Sequence, residues 1–284
     1  MTVTAQRAME KAFYARGRTT IYACQFDQRF SYCCYVPRVA EENPDRKLPL
    51  LVAVHGTGRL MTAYRDLFAE FAERHGVVVL APLFPAGITH PDDLNSYKFL
   101  RAGDLHYDAV LLAMLDEAAT RWPVDPARFA LFGFSGGGHF SHRFFYLHPE
   151  RLSAVSIGAP GVVTLLDFDH DFWVGVRNFE EKFGKPIDLD AMRRVPVQMV
   201  VGGDDTETWE ITIRPDSPSW MPGADLAGAN RQDRMRALKA SFERHGIAVR
   251  HDVLPGVAHN GLAMVPLVEQ FFGDALATPL KKAG

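Results

Sequence analysis

The chain has 284 residues, 47% hydrophobic and 23% charged, with a formal net charge of −3. This is the composition of an ordinary globular protein with enough chain to bury a sizeable core, and it offers no basic field for nucleic acid. No stretch approaches the roughly 20 apolar residues of a membrane span, and the opening "MTVTAQRAMEKAFYARGR" lacks the apolar run of a secretory signal, so a cytoplasmic protein with no membrane partner is expected.

Along the chain, "TTIYACQF" (19–26) and "FSYCCYVP" (30–37) read as an antiparallel hairpin around the short turn 27–29. The three cysteines, Cys24, Cys33 and Cys34, all fall in these runs and read as buried structural thiols rather than a disulfide framework. "AEENPDRK" (40–47) is a charged surface loop. "LPLLVAVHG" (48–56) is a continuous apolar run, as expected of a strand covered on both faces of a parallel sheet. A helix over 63–76 follows, with apolar Leu67, Phe68, Phe71 and Ala72 at helical spacing and Gly76 as its stop. "VVVLAPLFP" (77–85) is again strand, 104–122 a helix starting at Asp104, and "RFALFGFS" (128–135) a strand leading into a helix that runs to about His148. Strands at 152–161, 195–205 and 247–256 and helices at 230–246 and 261–276 complete the alternation, the last helix interrupted by Pro266.

Such alternation predicts a single α/β domain over 1–284, a mostly parallel sheet with helices on both faces, led by an antiparallel hairpin. Two segments, 162–194 and 206–229, do not fit. They follow the sixth and seventh strands, at the sheet edge where open α/β sheets place ligands, and read as lid or binding insertions.

Gly133-Phe134-Ser135-Gly136-Gly137 matches G-x-S-x-G between a predicted strand and a predicted helix. A tight strand-to-helix turn puts the serine in a strained backbone conformation, and its neighbours two residues away must lack a Cβ. No Lys follows these glycines, which excludes a P-loop, and they follow a central strand rather than the first of a dinucleotide-binding unit. A serine hydroxyl needs a base. Most of the 11 histidines lie in or at the ends of predicted helices and strands, whereas His259 sits in "LPGVAHNG", a loop at the C-terminal edge of the sheet. His139, one turn into the helix after Ser135, is expected to point away. Asp205 and Asp204 follow "VQMVVGG" between serine and histidine in the chain; Asp205, three residues after Gly202, is favoured as the acid, with Asp204 the alternative.

The four motifs "HGTG", "GFSGG", "VVGGDD" and "PGVAHNG", in this order over about residues 20–276, resemble the α/β-hydrolase superfamily. The chain looks like the bacterial esterases related to polyhydroxybutyrate depolymerases and dienelactone hydrolases, although a dienelactone hydrolase would carry cysteine at position 135. The resemblance implies a serine hydrolase acting on a small-molecule ester or acyl substrate through an acyl-enzyme, with no cofactor. Ser135, Asp205 and His259 would be its triad, and the N–H groups of Thr57 and Gly136 its oxyanion hole. His55 then reads as support for the Thr57 turn. An amidase or peptidase with the same triad, an acyltransferase, and a non-catalytic binding protein of the same fold are the alternatives. Phe172, Trp173, Trp209 and Trp220 in the insertions are candidates for an apolar pocket. The acids of "DFDHD" (167–171) read as solvated or capping rather than metal-binding, and the insertion arginines Arg177, Arg193, Arg194 and Arg214 as partners of a substrate or of those acids.

Overall fold

A computed structural model describes residues 13–277, which form two compact units divided inside one long strand after Ala130; residues 98–100 belong to the second. In the first unit, β1 (Gly17–Arg18), β2 (Tyr22–Ala23) and β3 (Ser31–Val36) precede α1 (Val39–Glu42) and β4 (Leu48–Val54). Next come α2 (Met61–Leu67), α3 (Ala69–His75), β5 (Val78–Leu83), the short ribbon β6 (Arg101–Ala102) and β7 (Leu105–His106), α4 (Tyr107–Arg121) and the first half of β8 (Val124–Phe134). The strand order is β1-β3-β5-β4-β8, with β2 also paired to β3. β4 and β5 are parallel, and β3 lies antiparallel to β5 with Cys33 opposite Ala81.

The second unit continues from the end of β8 through α5 (Gly136–Leu147), β9 (Leu152–Gly158), α6 (Phe179–Phe183), α7 (Leu189–Arg193), β10 (Val197–Gly202), α8 (Arg231–Arg244), β11 (Val249–Leu254) and α9 (Gly261–Ala277). Its order is β8-β9-β10-β11, and β9, β10 and β11 run parallel. The apolar runs become strands covered on both faces: β9 and β10 are buried along nearly their whole length.

Local departures from the expected elements have visible causes. In the first arm of the hairpin the ladder to β3 covers Tyr22 and Ala23, the Cys24 N–H still donates to the Phe30 carbonyl (3.0 Å), and beyond it Glu117 of α4 captures the amides of Gln25 (2.6 Å) and Phe26 (3.3 Å) and ends the strand. The helix expected over 63–76 is two helices broken at Phe68, whose fully buried ring packs edge-on against Phe71. Asp104 does not start α4. Gly103, at φ 58°, turns residues 101–106 into a two-stranded ribbon, and the helix begins at Tyr107. The first insertion is packed core along much of its length: Thr164, Leu166, Val174, Val176, Phe179 and Met192 are all buried. The second is a series of turns, mostly exposed but pinned by buried Ile211.

Three buried histidines hold main-chain amides by the same device. Nε2 of His55 accepts the Phe84 N–H (3.0 Å), that of His139 the Val162 N–H (3.1 Å), and that of His142 the Thr164 N–H (3.0 Å). Only a neutral imidazole has that lone pair. Nδ1 of His55 and His142 donates to the carbonyls of Gly56 and Gly138, both at 2.8 Å, which settles their tautomer. Burial pushes His55 down to about 4, and burial, aided by nearby Arg143, pushes His139 and His142 well below the ordinary value.

Between the unfolded-state value near 6.5 and the depressed native values, the unfolded chain binds more protons than the folded one. Stability is therefore complete above about pH 6.5 and falls as pH drops toward 4, at roughly 1.4 kcal/mol per pH unit for each such histidine. Urea unfolding from pH 7 to 5 should show this slope, and His55→Gln, which can still accept from Phe84, should lower it by about one proton. A second expectation concerns the packing of α5 on β9. A Cβ on Gly138 would overlap the Gly158 carbonyl, whereas one on Gly58 meets only Leu60 at 3.9 Å. Gly138→Ala should cost about 3 kcal/mol or more and Gly58→Ala should be nearly neutral by the same measurement.

Candidate active site

β8 ends at Phe134 and α5 begins at Gly136, so the whole change of direction falls on Ser135, at φ 56° and ψ −115°. A non-glycine residue takes this conformation only where its surroundings impose it. They do so here. The Ser135 N–H donates to the Gly158 carbonyl of β9 (2.8 Å) and its carbonyl accepts from His139 (3.1 Å). At Gly133 an added Cβ would overlap the Gly137 carbonyl and lie 2.6 Å from the Ser141 hydroxyl. Between Leu131 and Leu147, Ser135 is the one residue that is not buried. Its hydroxyl makes no capping bond to the helix it heads, and the first amides of α5, Gly136 among them, lack intrahelical acceptors. The strand-turn-helix thus raises a single hydroxyl beside a cluster of N–H donors.

Asp205 and His259 meet because two turns touch. β10 and β11 are in register to their ends, with Gly202 opposite Leu254. Beyond them the Gly203 N–H donates to Leu254 (2.7 Å) and the Asp204 N–H to Val257 (2.8 Å). Gly202 lies against the carbonyls of Val257 and Ala258, where no Cβ fits. The consequence is a 2.6 Å hydrogen bond from Nδ1 of His259 to Oδ2 of Asp205. The Asp205 side chain is fully buried and Asp204 is exposed, so the geometry joins His259 to Asp205. With Nδ1–H so committed, the basic lone pair of His259 is on Nε2. Its ring, 24% exposed, packs 4.8 Å from that of Phe134, the residue before Ser135.

The sequence reading missed the other partner of Asp205. Arg231, on the first turn of α8, is 2% exposed; Nη1 donates to Oδ1 of Asp205 (3.2 Å) and Nη2 to Oε2 of Glu210 (2.6 Å). Arg234, one turn on, donates through Nη1 to the carbonyls of Ile211 (2.9 Å) and Gly161, and through Nε to that of Gly228 (2.9 Å). The signal was present. Arg231, Met235, Leu238 and Phe242 stand at positions i, i+4, i+7 and i+11, so the apolar residues already assigned Arg231 to the buried face.

The remaining candidates lie in different settings. Thr57 is in the first unit, after β4, and its carbonyl accepts from Arg59 (2.5 Å). His55 is held between the Gly56 carbonyl and the Phe84 amide, as a support for that turn. Phe172 packs with Phe99, Phe179 and Phe183, and the Arg143 guanidinium lies 4.4 Å over Phe99 and 5.7 Å over Phe172. Trp173 is buried and donates to the Ser219 carbonyl (2.8 Å), Trp209 is 78% exposed and Trp220 43%. In the acidic segment Asp167 pairs with His170 and Asp171 with Arg177, each at 2.8 Å, and Arg193 pairs with Asp190. The cysteines are free and buried, with burial raising Cys33 to about 11. Among the described residues no group of three or more His, Cys, Asp or Glu side chains converges to hold a metal, and no helix is long and apolar enough to cross a membrane.

No family model matches the chain. Esterase FrsA of Shigella boydii is 30% identical over 123 residues, 43% of this chain; the chain spans just over a quarter (28%) of that relative's length. Among solved structures, LpqC, a poly(3-hydroxybutyrate) depolymerase from Bordetella parapertussis, is 26% identical with a TM-score of 0.69, covering 86% of this chain and 84% of that one. FphF, a fluorophosphonate-binding serine hydrolase of Staphylococcus aureus, is 13% identical with a TM-score of 0.61 over 92% of this chain and all of that one. Parallel strands wrapped by helices, a strained serine between β8 and α5, and likeness across most of the chain to esterase and serine hydrolase structures together establish that this chain has the α/β-hydrolase fold.

Proposed function

We propose that the chain is a serine hydrolase that cleaves a carboxylic ester through an acyl-enzyme. The observation that carries this reading is the 2.6 Å bond between His259 and a fully buried Asp205, with the imidazole packed against the residue that precedes the strained Ser135. In this mechanism Nε2 of His259 takes the proton of the Ser135 hydroxyl as its oxygen attacks the ester carbonyl. Asp205 keeps Nδ1 protonated and stabilises the imidazolium that forms. The Gly136 N–H, at the positive end of α5, donates to the developing oxyanion. His259 returns its proton to the leaving alcohol. It then activates water to hydrolyse the acyl-Ser135, and the acid leaves with the enzyme restored. The likeness to a depolymerase of a polyester and to an esterase supports an ester as the bond cleaved.

A fluorophosphonate probe should label the protein at Ser135, and Ser135→Ala should abolish the labelling; probe retained by that variant overturns the assignment. On a p-nitrophenyl ester, His259→Ala and Asp205→Asn should each lower kcat/KM by about 10⁴-fold, by comparison with dissected triads. Asp204→Asn should stay within a few-fold of the parent, since that carboxylate faces solvent. Matched ester and amide substrates test the bond class, and a preference for amides would replace the ester reading with an amidase.

A further inference from the structure

Arg231 is the cation bonded to the carboxylate that holds His259, and it sits between two carboxylates of different origin. Asp205 belongs to the turn after β10 and is fully buried, while Glu210 belongs to the second insertion and is about half exposed. The insertion is held at this point by hydrogen bonds and burial as well as by this one ion pair. Ile211 and Thr212 donate their N–H groups to the Thr208 carbonyl at 3.1 and 3.0 Å, Ile211 is buried, and its own carbonyl accepts from Arg234. Glu210 therefore has a defined place beside the guanidinium. Both oxygens of Asp205 are also accounted for, one by His259 and one by Arg231.

We propose that Arg231 is a positioning residue for the proposed triad: it holds Asp205 by its second oxygen and, through Glu210, makes the second insertion part of the electrostatics that govern proton uptake by His259. The inference rests on the triad reading above. Its physical content is a sign. The protonated imidazole is attracted by Asp205 and repelled by the guanidinium, and Glu210 offsets part of that repulsion. The other charged or titratable groups packed nearby are Arg234 on the next turn of α8, His139 on α5, which burial keeps neutral, and Lys98 and Arg143, which act on His139. Asp204 faces solvent. None of these bridges to Asp205.

Glu210→Gln removes the offset and leaves the cation, so the acid limb of the kcat/KM profile should move to lower pH, by about 0.5 unit. Arg231→Gln removes the cation and should move that limb to higher pH. It should also lower kcat with little change in KM, because one anchor of Asp205 is lost while substrate contacts are not. Arg231→Lys restores the charge without the two-pronged geometry; the limb should return toward the parent position with only partial recovery of kcat. These profiles are measured on the full chain with a p-nitrophenyl ester, alongside fluorophosphonate labelling of the parent. Opposite shifts in the Gln variants support the proposal. Shifts in the same direction, or profiles that stay in place, overturn it. If Arg231→Gln does not fold, Glu210→Gln decides alone: a downward shift supports the proposal and an unmoved limb overturns it. A parent protein that the fluorophosphonate leaves unlabelled removes the triad reading itself, whereas labelling with unmoved profiles removes only the role of Arg231.

Discussion

The contact between the turn after β10 and the turn after β11 is the constraint from which the candidate site follows. Two parallel strands that end at the same level, Gly202 beside Leu254, deliver two turns to the same place. The turns can close only because Gly202 has no side chain to hold them off the carbonyls of Val257 and Ala258. Main-chain bonds from Gly203 and Asp204 then lock them, and the next residue, Asp205, turns its carboxylate inward to His259. A carboxylate so fully removed from water must have partners for both oxygens. Arg231 is the second partner, and this is why an arginine lies on the buried face of α8 beside Met235, Leu238 and Phe242.

The same economy of polar groups stiffens the base of Ser135. On α5, His139, His142, Arg143 and Tyr146 stand at i, i+3, i+4 and i+7 and form one face. That face binds the start of the first insertion: His139 and His142 take the amides of Val162 and Thr164, Arg143 donates to the Thr164 hydroxyl, and Tyr146 donates to the Thr164 carbonyl. A segment without strand or helix is thereby given partners for its buried backbone, which it otherwise lacks. The helix that carries the serine and the chain that leaves β9 are thus tied as one body. The two insertions consequently differ in kind: the first is a packed part of its unit, and the second is an exposed run of turns fastened near Ile211 by Arg231 and Arg234.

The amino-acid sequence by itself determined the alternation of strands and helices, the elbow at Ser135 and the turn that carries His259. Each is written in local terms: apolar runs of strand length, glycines around one serine, a histidine between a strand and a helix. Element ends were less legible where a distant side chain set them, as when Glu117 stops the first arm of the hairpin. Only the tertiary structure shows which of Asp205 and Asp204 lies against His259. Spacing from Gly202 favours Asp205 but leaves Asp204 open, and the outcome turns on which carboxylate faces the neighbouring turn. It also decided that Phe172 joins an aromatic cluster beside Arg143 and that Arg231 lies inside. A charged side chain reads as solvent-facing until its partners are known, and Asp205 and Glu210 are 26 and 21 residues away along the chain. Pairings across such separations are made by packing, which brings together residues that no local pattern relates.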